Sequence, residues 1–308
     1  LHTYDDLIAT LDANGYTPDL DLFTFPYNWR KSNIETALLL KQKIDEVKAI
    51  CICAKVDLVA HSMGGLAARQ YIQSNDYQQD VDQLIFLGTP HLGAPKAYLM
   101  WEGGEIGPSP LSIENAVFQT MLEHEGFEKR YPTLFAYLRT DPIEAVRELL
   151  SVEDFLFDGT STRQYSNGYP RNSFLENLNA NIEVLNNSNV RIYNFVGETT
   201  TQRTITEIHV LDAHQYAPLW GHGYPEGFYE NSGNPGIVKG QGDETVPITS
   251  ASFVTSNLVS TPYEHIALPT QTEGDIYKIL TGREANTLVQ RFINIPNFKL
   301  ILIKILSP

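Results

Sequence analysis

Ser62 stands between an apolar run and a glycine pair in "KVDLVAHSMGGLAARQYI", residues 55 to 72. A serine on a tight turn from strand to helix projects its hydroxyl outward, but the turn closes only if the residues two before and two after are small. Here those residues are Ala60 and Gly64, and Gly65 extends the small surface where helix and strand pack. The first amides of the next helix lack partners within it, so the Met63 N–H is available to bind an oxyanion. Strand, His61, Ser62 and both glycines together make Ser62 a candidate nucleophile. The plainer alternative is a serine that only caps a helix.

A serine hydroxyl near neutral pH needs a base, and the base needs an acid to orient it. Where the nucleophile sits on such a turn, the chain order is Ser, then Asp or Glu, then His. Of eight histidines, only His265, in "STPYEHIALPT", lies beyond the acidic turn "GQGDETVPITSA", so His265 is the candidate base. Asp243 in that turn is the candidate acid; the neighbouring Glu244 has a longer, looser side chain, and an ordinary Asp-containing turn is the alternative reading. His209, His214 and His222 precede the acid, and His91 follows a strand; these four read as structural histidines. His61 is expected to face the sheet.

The elements that must position these groups alternate along the chain. Residues 4–14 have helical spacing and end at Gly15, "DLFTF" follows as a strand, and Ala37, Leu40, Ile44 and Val47 mark a helix over 33–50. "VDLVA" (56–60), "VDQLIFLG" (81–88) and "VRIYNFV" (190–196) are apolar strands, and 64–73 is a helix. Strands this apolar between amphipathic helices predict an α/β fold with a mostly parallel sheet covered on both faces. The alternation breaks at 96–188, which is too long for a loop and predicts an inserted helical cap, including "DPIEAVRELL" with Asp141 as cap and Pro142 at the first helical position. Residues 199–242 read as long polar, aromatic loops with a hairpin.

A formal charge of −15 over 308 residues argues against nucleic acid and against docking on anionic membranes. The most apolar stretches reach about half of the roughly 20 residues a membrane span needs, so no stable membrane insertion is expected. Cys51 and Cys53 are spaced too closely for an easy disulfide and read as buried small hydrophobes. Acidity and low lysine content lean towards an extracytoplasmic or secreted protein.

"FPYNWR" (25–30), the Ser62 segment, "LIFLGTPHLGAPKA" (84–97) and "GDETVP" (242–247) together resemble the lecithin:cholesterol acyltransferase-like branch of the α/β-hydrolases, which includes lipases and esterases. The resemblance runs from about residue 4 to 290, loosely through the cap. It implies an α/β-hydrolase core of 1–95 and 189–295 with a 96–188 lid. It also implies a triad of Ser62, Asp243 and His265, and acyl-ester chemistry on a small-molecule or lipid ester without metal or organic cofactor. The chain departs from the family pattern at both ends. Members begin with a strand and loop that supply a second oxyanion N–H, and this sequence starts after them; Met63 would then be one donor where two are expected, a loss that typically costs about 10²- to 10³-fold in rate, so either the chain is a fragment of a longer product or another element replaces the donor. At the other end "FKLILIKILSP" reads as a strand leading elsewhere, with 296–308 the start of a further domain of the same product. The expected function is a serine ester hydrolase; an acyltransferase, a peptidase or a catalytically silent binding module are the alternatives. Tyr98, Leu99, Met100 and Trp101 read either as an acyl pocket or as the core of the cap.

Overall fold

In the computed structural model, which describes residues 3–105, 113–140, 143–230, 236–285 and 300–305, the apolar runs form one six-stranded, wholly parallel sheet. Helix α1 (Asp5–Ala13) leads into β1 (Leu22–Tyr27), α2 (Asn33–Cys51) into β2 (Val56–His61), and α3 (Met63–Gln73) into β3 (Val81–Leu87). The long insertion then supplies α4 (Lys96–Gly103), α5 (Ile113–Glu128), α6 (Leu134–Thr140), α7 (Glu144–Glu148), β4 (Leu156–Phe157), α8 (Ser173–Ala180) and α9 (Ile182–Asn186). The chain returns through β5 (Arg191–Gly197), β6 (Thr204–Leu211), β7 (Tyr224–Pro225), β8 (Ile237–Gly240), α10 (Ile248–Ala251), β9 (Leu258–Thr261), α11 (Leu268–Gln271), α12 (Glu273–Thr281) and β10 (Leu300–Ile305). The order across the main sheet is β1-β10-β2-β3-β5-β9.

Because successive side chains of a strand point to opposite faces, continuous apolar runs demand cover on both. Leu58, Ala60, Leu84 and Phe86 pack with α2, α3 and α8 on one face, and Val59, Ile85 and Leu87 pack with α1 and α12 on the other. Ser32 begins α2 as its cap, its Oγ accepting the Ile34 N–H at 3.0 Å. Strand β2, which leads to Ser62, is buried at all six positions.

A second apolar cluster joins Tyr98, Leu99, Trp101, Tyr137 and Leu138 of the insertion to Ile205, Ile208, Val210 and Trp220. Residues 199–242 are therefore not simply loops. Strand β6 pairs in parallel with β4 and antiparallel with β7 and β8, because Ile205, Ile208 and Val210 have a core to enter. Glu148 of α7 ties the insertion to the start of α2, accepting hydrogen bonds from Ser32 Oγ (2.6 Å), Asn33 N–H (2.6 Å) and Asn33 Nδ2 (2.7 Å). Helix α7 is shorter than the spacing predicts, and the expected cap at Asp141 and Pro142 lies outside the described residues.

Two expectations about the chain need correcting. Cys51 and Cys53 form a disulfide and are half-buried; Ile52 between them takes a left-handed conformation (φ 54°) that brings their Cα atoms to 5.2 Å, within bridging range. Residues 300–305 do not lead elsewhere: as β10 they pair with β1 on one side and β2 on the other, Ile303 opposite both Phe25 and Ala60. Residues 296–299 and 306–308 lie outside the described residues.

Asp57 in β2 is buried among strands, and burial first, with the charge of Asp82 second, pushes its carboxyl up from 3.8 to about 7. The folded value exceeds the unfolded one, so the group's full contribution is present below about pH 4 and is lost as pH rises through 7. Asp57→Asn is expected to raise unfolding free energy by up to about 4 kcal/mol at pH 8 and to leave it nearly unchanged at pH 4. Urea unfolding at the two pH values measures the difference.

Candidate active site

Between the last residue of β2 and the first of α3 there is room for one residue, and Ser62 occupies it with φ 56° and ψ −133°. A left-handed backbone at a non-glycine residue costs on the order of 1–3 kcal/mol and persists only where the surroundings hold it. Here the Ser62 N–H donates to Leu87 O at 2.8 Å, and the Ser62 carbonyl accepts the Gly65 N–H at 3.0 Å. A Cβ on Gly65 would lie 2.0 Å from Thr89 Oγ1, so α3 approaches the end of β3 this closely only with glycine there. Met63 opens α3, and its N–H belongs to the first turn, where amides have no partner within the helix.

Ser62 Oγ lies 2.8 Å from His265 Nε2, and His265 Nδ1 lies 2.7 Å from Asp243 Oδ2. A carboxylate only accepts, so Nδ1 carries the proton and Nε2 is left to accept from the serine hydroxyl. The other Asp243 oxygen accepts the N–H groups of Thr245 (3.0 Å) and Val246 (2.6 Å), which hold the buried carboxylate in one orientation. Its carbonyl accepts the His265 N–H at 2.8 Å, tying Asp243 to His265 through the backbone as well. Glu244 points elsewhere, its carboxylate accepting the Thr201 hydroxyl at 2.6 Å. The structure thus brings together the three residues selected by chain order.

His91, His209, His214 and His222 have their partners elsewhere. His91 is buried with Nδ1 3.3 Å from Arg69 Nη1, and burial together with that guanidinium holds it well below the usual imidazole range. His209 pairs with Glu207 at 3.0 Å, His222 with Glu102 at 3.1 Å, and exposed His214 with Asp212. His61 does more than face the sheet: its Nδ1 is 2.9 Å from Tyr4 Oη and its Nε2 2.9 Å from the His265 carbonyl.

Two glycines that sequence reading passed over make space for Asp243 and His265. A Cβ on Gly88, just after β3 with φ 58°, would lie 2.9 Å from Asp243 Oδ2 and 3.0 Å from His265 Nδ1. A Cβ on Gly197, the last residue of β5, would lie 2.3 Å from Tyr263 O and 2.6 Å from Asp243 Cβ. The signal available beforehand was their position: each lies at the carboxyl end of an apolar strand, as Ser62 does. Tyr98, Leu99 and Trp101 are buried in the second apolar cluster, Tyr98 Oη donating to Gly223 O at 2.5 Å, so they form core. Among the described residues no group of three or more His, Cys, Asp or Glu side chains could hold a metal ion, and no helix is long and apolar enough to cross a membrane.

Comparison with known proteins adds the lineage. Residues 1–135 match the family model of lecithin:cholesterol acyltransferase. Over 99 residues the chain is 32% identical to phospholipase A(1) LCAT3 of Arabidopsis thaliana, a match covering 31% of this chain and 22% of that protein. It is 27% identical over 99 residues to lecithin-cholesterol acyltransferase-like 4 of the same plant, covering 31% of this chain and 18% of the relative. The matched stretch is thus about a fifth of either relative's length. Among solved structures, mature lipase BlEst2 of Bacillus licheniformis aligns over 81% of this chain and 74% of its own, at 14% identity and a TM-score of 0.42. Residues 1–135, which include the Ser62 turn, are thus similar to the lecithin:cholesterol acyltransferase family.

Proposed function

We propose that the protein is a serine ester hydrolase acting on lipid-like acyl esters through a covalent acyl-Ser62 intermediate. The observation that supports this reading is the hydrogen-bonded chain from buried Asp243 through His265 to Ser62 Oγ. Ser62 attacks the ester carbonyl as His265 Nε2 takes its proton, and the developing oxyanion faces the Met63 N–H. Asp243 fixes the tautomer and stabilises the imidazolium. Collapse of the tetrahedral intermediate expels the alcohol, which receives the proton from His265. A water then enters, gives its proton to His265 and attacks the acyl-serine, and a second collapse releases the acid and returns the proton to Ser62. An alcohol in place of that water makes the same site an acyltransferase. In this reading 1–95 and 189–295 form the hydrolase core, and 96–188 caps it.

A fluorophosphonate probe tests the nucleophile, and 4-nitrophenyl esters of increasing chain length, with and without an added alcohol, test the reaction. Labelling on the Ser62 peptide, absent in Ser62→Ala, with ester turnover rising towards longer chains, is the expected outcome. A folded wild type that neither labels nor turns over esters would instead make the chain a binding module. Faster turnover of matched amides would make it a peptidase.

A further inference from the structure

His265 sits on a single 3₁₀ turn (His265–Ala267) that follows the edge strand β9, so no helix or sheet ladder fixes its backbone. Two hydrogen bonds do so instead. One is the His265 N–H to Asp243 O; the other joins the His265 carbonyl to the ring of His61, the residue that precedes Ser62. A carbonyl only accepts, so His61 Nε2 is the donor, and Nδ1 is left to accept from Tyr4 Oη. The Tyr4 hydroxyl therefore selects the His61 tautomer that grips the base.

We infer that Tyr4 and His61 form a positioning relay that sets the distance between His265 Nε2 and Ser62 Oγ. The inference rests on the reading of Ser62, His265 and Asp243 as the reacting set. His61 is not a second base, because both ring nitrogens are occupied and neither reaches Ser62. Its ring lies 4.7 Å from that of His265. Burial, and then the nearness of His265, push its pKa down to about 3, so it stays neutral near neutral pH. The nucleophile and the base are thereby measured from one strand end: Ser62 is bonded to His61, and His265 hangs from it. A displacement of about 1 Å in such a pair costs on the order of 10²-fold in rate.

The test uses the full chain and three variants, His61→Phe, His61→Gln and Tyr4→Phe, with kcat and KM for a 4-nitrophenyl ester and the rate of fluorophosphonate labelling at Ser62. His61→Phe removes the donor and is expected to lower kcat and the labelling rate together by about 10²-fold with KM unchanged. His61→Gln, whose amide still reaches towards the carbonyl, is expected to recover at least a tenth of wild-type kcat, and Tyr4→Phe to lose several-fold. A general loss of packing would lower the fraction of labelled protein rather than the rate at each labelled site, and glutamine would not restore it. Wild-type kcat and labelling rate in folded His61→Phe would overturn the inference; if that variant does not fold, wild-type values in Tyr4→Phe overturn it. Wild type that fails to label at Ser62 would overturn the reacting set itself, a different result.

Discussion

Ser62→Ala is expected to lower kcat for ester hydrolysis by about 10⁶-fold while leaving the thermal midpoint within a degree or two of wild type. The size follows from what is lost: without Oγ no acyl intermediate forms, and His265 has no positioned nucleophile to deprotonate. The small effect on stability follows from the backbone. The left-handed turn is held by Ser62 N–H on Leu87 O and by the Gly65 amide on the Ser62 carbonyl, and alanine keeps both. Alanine and serine also bear comparable strain at φ 56°. Steady-state kinetics with a 4-nitrophenyl ester and a thermal melt decide the matter. Turnover within tenfold of wild type would remove Ser62 from the reaction.

Asp243→Asn is expected to cost about 10⁴-fold in kcat near neutral pH, with KM little changed. The carboxylate's buried Oδ1 is pinned by the Thr245 and Val246 amides, which accept no substitute but an oxygen, so the asparagine carbonyl takes that place and its NH₂ faces His265. Two donors then oppose each other unless the imidazole moves its proton to Nε2. That tautomer donates towards Ser62 Oγ and cannot receive its proton. Fluorophosphonate labelling is expected to slow in parallel, since it needs the same proton transfer. A variant that keeps wild-type labelling would show that the acid lies elsewhere, Glu244 being the nearest in sequence but turned to Thr201.

Much of the fold was legible because the main sheet is written in short-range signals. Strands β1, β2, β3 and β5 are apolar runs bounded by turns, and α2 declares itself by Ala37, Leu40, Ile44 and Val47 on one face. The serine turn was legible from spacing, and the choice of Asp243 and His265 needed only chain order. What escaped was set by contacts between distant residues. The β-branched segment "TITEIHVL" favours a strand locally, but the partners and the core that make it one, with Trp220 and Tyr137, are distant in sequence. The Cys51–Cys53 bridge depends on the one residue between them adopting a left-handed conformation that isoleucine rarely takes. His61 looked like a wall of the sheet because its partners, Tyr4 and the His265 carbonyl, come from opposite ends of the sequence.

The placement of β10 sets the order in which the molecule can assemble. Its neighbours β1 and β2 lie within the first 61 residues, so a ribosome adding about 5–20 residues per second has finished them for roughly 10–50 s before residue 305 exists. During that interval the strand leading to Ser62 exposes an unsatisfied edge, a template for pairing with other nascent chains. Contacts of such long sequence separation also slow spontaneous refolding. The Ser62 bend is thus synthesised well before the strand that seals its sheet neighbour, which makes translation speed and holdase chaperones natural determinants of its yield.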